Sequence, residues 1–395
     1  MQREDVHTPV TVVTGFLGSG KTTLLNRALR DPAMAHTLIV INEFGDISID
    51  HALTAASNDA IVVLENGCLC CTVFGDLVQT FQHLYTAREA GEIAFDHVVV
   101  ETSGLAEVAP VTQAFLSQPT LEGLYRVVSV IATVDAVNGP GTLDEHAVSV
   151  GQVALADHLL ITKLDLIAEA DRPAARAALT ARLRTLNRTA SIDAVDDAGV
   201  DPIRMMREAS PNPSQGPQAA KAWLETALAG AAPAPAPAPA PDHHEHAHGA
   251  ADGPAPHHHD AAIASFNLIR EAPLPREAVT LLLLSLERHL GPKLLRVKGL
   301  INVAEEPGQP AVVQGAQHLL HNLTWLAQWP DEDRRTRIVF ITQGVATEEL
   351  AEMVTLLDRV AQRTAAARAR AAATGAGAPG EASPSEAFPS AASPG

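Results

Sequence analysis

The sequence predicts an α/β protein: a parallel sheet with helices on both faces, followed by a smaller α+β domain. Between residues 9 and 212, short apolar runs alternate with stretches of helical periodicity. The runs are apolar throughout, which is typical of strands buried on both faces of a parallel sheet. After a stretch rich in proline, alanine and histidine, the pattern changes to several strands with fewer helices.

The composition divides the chain into five segments. They are an N-terminal tail (1–8), a first domain (9–212), a linker (213–260), a second domain (261–363) and a low-complexity tail (364–395). The linker contains AAPAPAPAPAP, which favours an extended and semi-rigid conformation. It also contains seven of the chain's 17 histidines.

Six apolar runs predict the strands of the first sheet. They are VTVVTG, TLIVIN, AIVVLEN, HVVVET, RVVSVIATVD and HLLITKLD, and amphipathic stretches such as KTTLLNRAL and DLVQTFQHLYTARE lie between them. In such folds ligands bind at the carboxyl ends of the strands, so we look for functional residues there.

The second domain is predicted to be small, with a mostly antiparallel sheet. The predicted strands are ASFNLIR, KLLRVKGLINVA, AVVQGAQ, HLLHNLTWLAQ and RIVFITQG. The predicted helices are PREAVTLLLLSLERHL and a closing helix, ATEELAEMVTLLDRVAQRTAAARARAAA.

Charge and hydropathy argue against nucleic-acid and membrane partners. The formal net charge is −18, and no cluster of lysine and arginine is present to displace the counterions of a nucleic acid. The longest apolar runs are too short to span a bilayer, and MQREDVHTPV does not resemble a secretory signal. With only three cysteines and no signal, we expect a cytoplasmic protein whose thiols stay reduced.

The segment GFLGSGKTT, which begins at Gly15, fits the phosphate-binding loop pattern G-x-x-x-x-G-K-[ST]. It follows a predicted strand and precedes a predicted helix, which is the context that a P-loop requires. Lys21 would reach the terminal phosphates and the Thr22 hydroxyl would bind Mg²⁺. The residues expected to contact the nucleotide here are Gly15, Gly18, Ser19, Gly20, Lys21, Thr22 and Thr23.

The run HVVVETSG supplies a carboxylate at the end of another buried strand. Glu101 could hold a Mg²⁺-bound water, and the N–H of Gly104 could sense the γ-phosphate. Lys21, Thr22 and Glu101 are therefore the candidate catalytic residues. We find no general base among them, so we expect slow intrinsic hydrolysis.

The run HLLITKLD ends in a candidate base-recognition motif, Thr162-Lys163-Leu164-Asp165. The Asp165 carboxylate can accept both hydrogens on the Watson–Crick edge of guanine, whereas adenine offers no matching donor pair. The aliphatic stem of Lys163 can lie against the base. The usual motif begins with asparagine, so Thr162 is a departure. Thr162, Lys163 and Asp165 together favour GTP over ATP.

All three cysteines of the chain lie within four residues, at Cys68, Cys70 and Cys71. Three thiolates around one ion leave a fourth position open, which suits a site that releases its metal. Sulfur ligands favour Zn²⁺ or Cu(I) over Mg²⁺, so this site would be separate from the magnesium site. A cluster of three cysteines beside a glycine is difficult to explain as simple core packing.

Together these motifs resemble the CobW-type P-loop GTPases, a family of metallochaperones. The resemblance covers about residues 9–208 and 261–345, and it rests on GFLGSGKTT, NEFGDISID, ENGCLCCTV, ETSGLAEVAP, ATVDAVN, TKLD and LLRVKGLINVA. It implies that Gly15–Thr23 bind the GTP phosphates and that Asp165 binds the base. It also implies that Cys68, Cys70 and Cys71 carry zinc or a related ion such as Co²⁺ or Fe²⁺. Glu43 would lie in a switch segment near both ligands.

The linker adds a second group of candidate metal ligands. These are His243, His244, His246, His248, His257, His258 and His259. Neutral imidazoles at short spacing bind Zn²⁺, Ni²⁺ or Co²⁺, and a flexible segment suits capture and buffering of metal. A solvated linker without metal is the alternative.

The sequence thus predicts a GTPase that transfers metal to a client apo-metalloprotein, with the second domain recognising the client. Two alternatives stay open: a metal buffer or sensor with a regulatory nucleotide site, and a P-loop kinase of a small molecule. A homodimer is also compatible with the sequence.

Overall fold

A computed structural model describes residues 7–42, 61–64, 72–208, 210, 216–228, 263–316, 319–320 and 323–345, together with six positions between 352 and 370. Those six positions are helical, in agreement with the predicted closing helix. In the described part of the chain, no helix is long and apolar enough to cross a membrane.

The first domain is built on a seven-stranded parallel sheet, as the apolar runs predict. Its strands are β1 (Thr8–Thr14), β2 (Thr37–Asn42), β3 (Ile61–Leu64), β4 (His97–Thr102), β5 (Tyr125–Asp135), β6 (His158–Thr162) and β7 (Ser191–Ala194), in the spatial order β3-β2-β4-β1-β5-β6-β7. Strand β7 is not among the six predicted strands, because SIDA is short and half polar.

Helices cover both faces of this sheet. They are α1 (Lys21–Ala28), α2 (Thr72–Glu89), α3 (Val108–Ser117), α4 (Pro119–Glu122), α5 (Gly139–Glu145), α6 (Ala147–Leu155), α7 (Arg172–Leu186) and α8 (Pro202–Arg207). Val98 and Val100 of β4 pack in one buried cluster with Phe81 of α2. Val99 packs in a different cluster with Leu24 of α1. Successive residues of a strand point to opposite faces, so β4 is apolar throughout.

Strand β1 marks the point where the order of the strands changes direction. Strands β2, β3 and β4 lie on one side of β1, and strands β5, β6 and β7 lie on the other. Open α/β sheets bind ligands at the carboxyl ends of the strands beside such a point. The loop that leaves β1 is Gly15–Gly20, so the topology places the predicted P-loop at the expected position.

The second domain is an antiparallel sheet of six strands. They are β8 (Ile263–Arg270), β9 (Leu294–Ile301), β10 (Ala311–Ala316), β11 (Leu319–Leu320), β12 (Thr324–Trp325) and β13 (Thr336–Gln343), in the order β11-β10-β9-β13-β8 with β12 beside β10. Helix α10 (Arg276–Ser285) continues into a π-helical turn (Leu286–Leu290). The α+β prediction is confirmed, and the described residues of HLLHNLTWLAQ form two short strands, β11 and β12, where one strand was predicted.

The predicted linker, 213–260, begins too early. Within it, helix α9 (Pro217–Leu228) is ordered and packs on the second sheet. Trp223 and Leu224 of α9 share a buried cluster with Leu300 of β9 and Val339 of β13. The sequence PQAAKAWLETAL carries one apolar face, which is buried against the sheet, whereas the composition of the region as a whole resembles a linker.

The two domains meet at the end of α6. Ala154 packs against Leu295 of β9 and Ile341 of β13 in a small buried cluster. The Asp157 carboxylate, which follows α6, accepts a hydrogen bond from Lys298 Nζ at 2.8 Å and another from Arg296. All three charged side chains are at most 13% exposed, so this is a buried ion cluster between the domains.

A buried histidine makes the stability of the first domain dependent on pH. His97 is 1% exposed, and its Nε2 lies 3.1 Å from Thr11 Oγ1. The Thr11 hydroxyl donates to the carbonyl oxygen of Met206, so the His97 Nε2–H donates to Thr11. Burial, and then the charge of Arg207, lower the pKa of His97 from 6.5 to about 4. His97 is therefore neutral in the folded protein at pH 7.

We expect His97 to destabilise the protein in acid. Between pH 6.5 and 4 the unfolded chain binds a proton that the folded protein does not. The free energy of unfolding should therefore fall by up to about 3 kcal/mol across this range, from the linkage relation. The measurement is denaturant unfolding of the wild type and of His97→Gln at about pH 7, 6, 5 and 4, which spans the range where the linkage acts. The glutamine keeps a donor to Thr11. A difference between the two proteins that does not change with pH would contradict this assignment.

Candidate functional site

The predicted P-loop is a glycine turn between β1 and α1. Gly15, Gly18 and Gly20 have φ angles of 136°, 70° and 99°, which disfavour residues with a side chain. A Cβ at Gly15 would lie 2.4 Å from Thr133 Oγ1 and 2.5 Å from the Thr133 carbonyl oxygen. The glycine at this position therefore allows β1 and β5 to approach closely under the loop. Gly20 is the residue before α1, so the helix N-terminus faces the loop, where it would favour an anion.

Lys21 lies inside this loop. Its side chain is buried, and its Nζ donates to the carbonyl oxygens of Gly15 at 2.7 Å and Phe16 at 3.2 Å. The ammonium is thus held inside the loop by two of the loop's own carbonyl oxygens, and its contact with a phosphate stays a prediction.

Thr22 and Glu101 are brought together from different elements. Thr22 Oγ1, in the first turn of α1, donates to Glu101 Oε1 at 3.0 Å. Glu101 lies at the carboxyl end of β4 and is 6% exposed. A hydroxyl oxygen and a carboxylate oxygen at this separation are hard ligands of the type that Mg²⁺ prefers. The donor set fits the predicted magnesium site.

The loop after β4 contacts the P-loop at Gly104. A Cβ at Gly104 would lie 2.7 Å from the Leu17 backbone nitrogen, so only glycine fits without displacing the P-loop. The predicted sensor of the γ-phosphate is therefore beside the phosphate loop, although Gly104 and the loop are far apart in the sequence.

The base-recognition motif follows β6. Thr162 Oγ1 donates to the Ser19 carbonyl oxygen at 2.7 Å, so this hydroxyl joins the motif to the P-loop. Lys163 adopts a left-handed backbone conformation with φ of 60°. Asp165 is exposed in a turn of 3₁₀ helix, Leu164–Leu166. Contact of these residues with guanine remains a prediction.

Sequence reasoning did not identify Asp135 as part of the site. Asp135 ends β5, and its carboxylate accepts hydrogen bonds from the backbone of Val137 at 2.7 Å and from Lys163 Nζ at 2.8 Å. Burial alone would raise the pKa of Asp135, but its hydrogen bonds with Lys163 and Asn138 lower it below the usual value. Asp135 is thus ionised and fixes the Lys163 side chain. The available signal was an acidic residue at the end of an apolar run, in VSVIATVD.

The candidate ligands of the transferred metal lie outside the described residues. These are Glu43, Cys68, Cys70, Cys71, His243, His244, His246, His248, His257, His258 and His259. In the described part of the chain, no group of three or more His, Cys, Asp or Glu side chains could hold a metal ion.

The strands that lead to Glu43 and to the cysteines are neighbours in the sheet. Asn42, the last residue of β2, is paired in register with Leu64 of β3 and with Thr102 of β4. Glu43 follows Asn42 directly, and Cys68 follows Leu64 by four residues. The described strands that precede both segments therefore end at the edge where Glu101 is located.

Two family models match the chain. "CobW/HypB/UreG, nucleotide-binding domain" matches residues 9–192, and "Cobalamin synthesis protein cobW C-terminal domain" matches residues 263–356. The two matches fall on the two domains of the structure.

Individual relatives agree with these matches. The zinc chaperone YjiA of Escherichia coli K12 is 30% identical over 341 residues, which cover 86% of this chain and 96% of the relative. The zinc chaperone CobW of a Sinorhizobium species is 32% identical over 201 residues, covering 44% of this chain and 56% of the relative. The crystal structure of Zn(II)-bound YjiA GTPase from E. coli superposes with a TM-score of 0.59 at 26% identity, covering 89% of this chain and 99% of that one.

Proposed function

Because this chain belongs to the CobW family, with both the nucleotide-binding and the C-terminal domain, we propose that it is a GTPase that carries zinc to a client metalloprotein. The single observation that carries the nucleotide part is the contact between Thr22 Oγ1 and Glu101 Oε1, 3.0 Å apart at the mouth of the P-loop. It joins the hydroxyl and the carboxylate that a nucleotide-bound Mg²⁺ requires.

In the proposed GTP complex, each part of the site has one task. The backbone of Gly15–Thr23 binds the phosphates and Lys21 neutralises charge that develops on them during hydrolysis. Thr22 and Glu101 would hold Mg²⁺, which would supply electrostatic stabilisation of the phosphates. Thr162, Lys163 and Asp165 form the guanine pocket, with Asp165 accepting hydrogen bonds from the base.

The transferred metal would be bound by Cys68, Cys70 and Cys71. The names of the relatives favour Zn²⁺, and Co²⁺ or Fe²⁺ are alternatives with the same type of ligand. Support comes from the register of β2, β3 and β4, in which Asn42 and Leu64, the last described residues before Glu43 and the cysteines, lie at the edge that bears Glu101. GTP binding at this edge would change the arrangement of the thiolates, and hydrolysis would reverse the change.

A metal buffer or sensor is the second candidate, and the seven histidines of residues 243–259 favour it. Storage predicts several metal ions per chain and a metal affinity that is independent of the nucleotide. Transfer predicts one tightly held ion whose affinity depends on the nucleotide. The two functions are therefore separated by stoichiometry and by nucleotide dependence.

We expect the affinity for Zn²⁺ to differ by roughly five-fold or more between the complexes with GDP and with a non-hydrolysable GTP analogue, the lower end of typical coupling between two sites. The measurement is competition with a chromophoric zinc chelator under reducing conditions, with Mg²⁺ present. Cys70→Ser should abolish the tight site, because it removes one of three thiolates.

The matched control replaces all seven histidines of residues 243–259 by alanine in one variant. It should lower the number of weakly bound ions and leave the nucleotide-dependent site unchanged. Equal affinities with GDP and with the GTP analogue would exclude the proposed coupling, and loss of the tight site in the histidine variant would favour storage.

A further inference from the structure

The N-terminal end of helix α6 contacts the P-loop. His146, the residue before α6, stacks on Phe16 of the P-loop with ring centroids 4.6 Å apart and an angle of 17° between the rings. Phe16 lies directly after Gly15, so the start of α6 is packed against the phosphate-binding loop. The stacked rings tie the position of the loop to the start of the helix.

In its middle, α6 holds the loop that follows β4. Gln152 is 1% exposed, and its Nε2 donates to the carbonyl oxygens of Gly104 at 3.2 Å and Ala106 at 3.1 Å. Only the NH₂ end of the amide can donate to two carbonyls, so these acceptors fix the orientation of the side chain. The Gln152 side chain thus joins α6 to the loop in which Gly104 lies against Leu17.

The other end of the Gln152 amide lacks a partner in the described part of the chain. Its Oε1 is buried and accepts no hydrogen bond within the described structure. Gln152 also lines a cavity together with Gly15, Leu17 and Ser149. A buried amide that is only half satisfied is unusual for a residue whose sole purpose is packing, since an apolar side chain would fill the same space.

At its last turn, α6 contacts the second domain. Arg296 Nη1 of β9 donates to the carbonyl oxygens of Leu155 at 2.6 Å and Ala156 at 2.8 Å. These groups are three and four residues after Gln152, which is about one turn of helix, or about 5 Å. One rigid helix therefore connects the loop of Gly104 to strand β9.

We propose that Gln152 is a positioning residue that fixes the Gly104–Ala106 loop and transmits the nucleotide state through α6 to β9 of the second domain. This inference rests on the proposed function, since it requires GTP and GDP to place Gly104 differently. Coupling of this kind is reciprocal, so a client bound to the second domain would change the affinity for GTP by the same factor.

Hydrogen exchange of the full-length protein tests this proposal. With Mg²⁺ and either GDP or a non-hydrolysable GTP analogue bound, amide exchange in β9 of the wild type should differ by roughly five-fold or more. Gln152→Met keeps the length of the side chain and removes both donated hydrogen bonds. In this variant the difference in β9 should disappear while both nucleotides still bind. The ratio of the two nucleotide affinities should shift by a similar factor.

Gln152→Glu is the second variant, because it keeps the shape and places a carboxylate oxygen against the two carbonyls. Gln218→Met, at an exposed glutamine of α9, is the matched control and should behave as the wild type. If β9 of the wild type exchanges equally in both complexes, or if Gln152→Met and Gln152→Glu retain the difference, the role of Gln152 is refuted while GTP binding stands. Failure of the wild type to bind either guanine nucleotide would refute the proposed function together with this inference.

Discussion

The variant Lys21→Met is expected to hydrolyse GTP about 10²- to 10³-fold more slowly in kcat/KM, the usual effect of removing one group that stabilises transition-state charge. Methionine keeps the aliphatic stem but has no ammonium. In the structure, the ammonium of Lys21 is 2.7 Å from the Gly15 carbonyl oxygen and is enclosed by the loop. The methionine side chain carries no charge that could replace it. The measurement is phosphate release with GTP and Mg²⁺ at steady state, together with binding of a fluorescent GTP analogue.

The control is Lys221→Met on helix α9, where the lysine side chain is 57% exposed. It should leave turnover unchanged, because its charge is solvated and distant from the P-loop in sequence and in fold. The same assay with ATP separates the GTPase from a P-loop kinase, since Asp165 should favour guanine. Turnover in Lys21→Met within two-fold of the wild type, on the order of assay scatter, would show that the loop is not the hydrolytic site.

Removal of Asp157 is expected to produce the largest loss of stability among single substitutions of the described charged residues. In Asp157→Ala, the free energy of unfolding should fall by about 3–5 kcal/mol, as is typical when one partner of a buried ion pair is removed. Burial and the neighbouring Arg296 lower the pKa of Lys298 to about 8, so both cations remain charged at pH 7. Asp157 opposes this lowering, so without the carboxylate the pKa of Lys298 would fall further and Arg296 would be left with no counter-charge. The measurement is denaturant unfolding at about pH 7.

The exposed pair of Asp144 and Arg182 provides the control. Their side chains are 69% and 46% exposed, so Asp144→Ala should change the free energy of unfolding by less than about 1 kcal/mol. Adding Lys298→Met to Asp157→Ala should recover part of the loss, because it removes a buried amino group that has lost its partner. A loss no larger than that of Asp144→Ala would mean that water reaches the cluster.

The same cluster adds a pH dependence of its own. Burial by itself would raise the pKa of Asp157, but the charges of Arg296 and Lys298 hold it well below the usual value. A carboxylate with a depressed pKa contributes its full stability above the unfolded value of 3.8 and loses it as the pH falls further. Asp157 therefore changes the free energy of unfolding below pH 3.8, whereas His97 changes it between pH 6.5 and about 4. The two contributions can be separated by pH.

Local sequence was enough for the parts of the site that lie on one short segment. The glycines at Gly15 and Gly20, with Lys21 and Thr22, have a fixed spacing because the turn and the helix start are built from consecutive residues. Apolar runs likewise predicted β1, β2, β3, β4, β5 and β6, since burial on both faces leaves a continuous signal. The short and half-polar β7 left no such signal, and helix α9 was hidden in a region whose average composition resembles a linker.

The sequence by itself determined a P-loop nucleotide domain followed by an α+β domain, because periodicity and motif spacing are properties of neighbouring residues. Only the tertiary structure decided that Thr22 meets Glu101, that Asp135 fixes Lys163 and that Gln152 holds Gly104. Each of these pairs is distant along the chain and is joined by the order of the strands in the sheet. The tertiary structure also decided that Asp157, Arg296 and Lys298 form one buried cluster between the domains. Asp157 is more than a hundred positions away from Arg296 and Lys298, so no local sequence pattern indicates their pairing. The pairing follows from the positions of α6 and β9 in the folded protein.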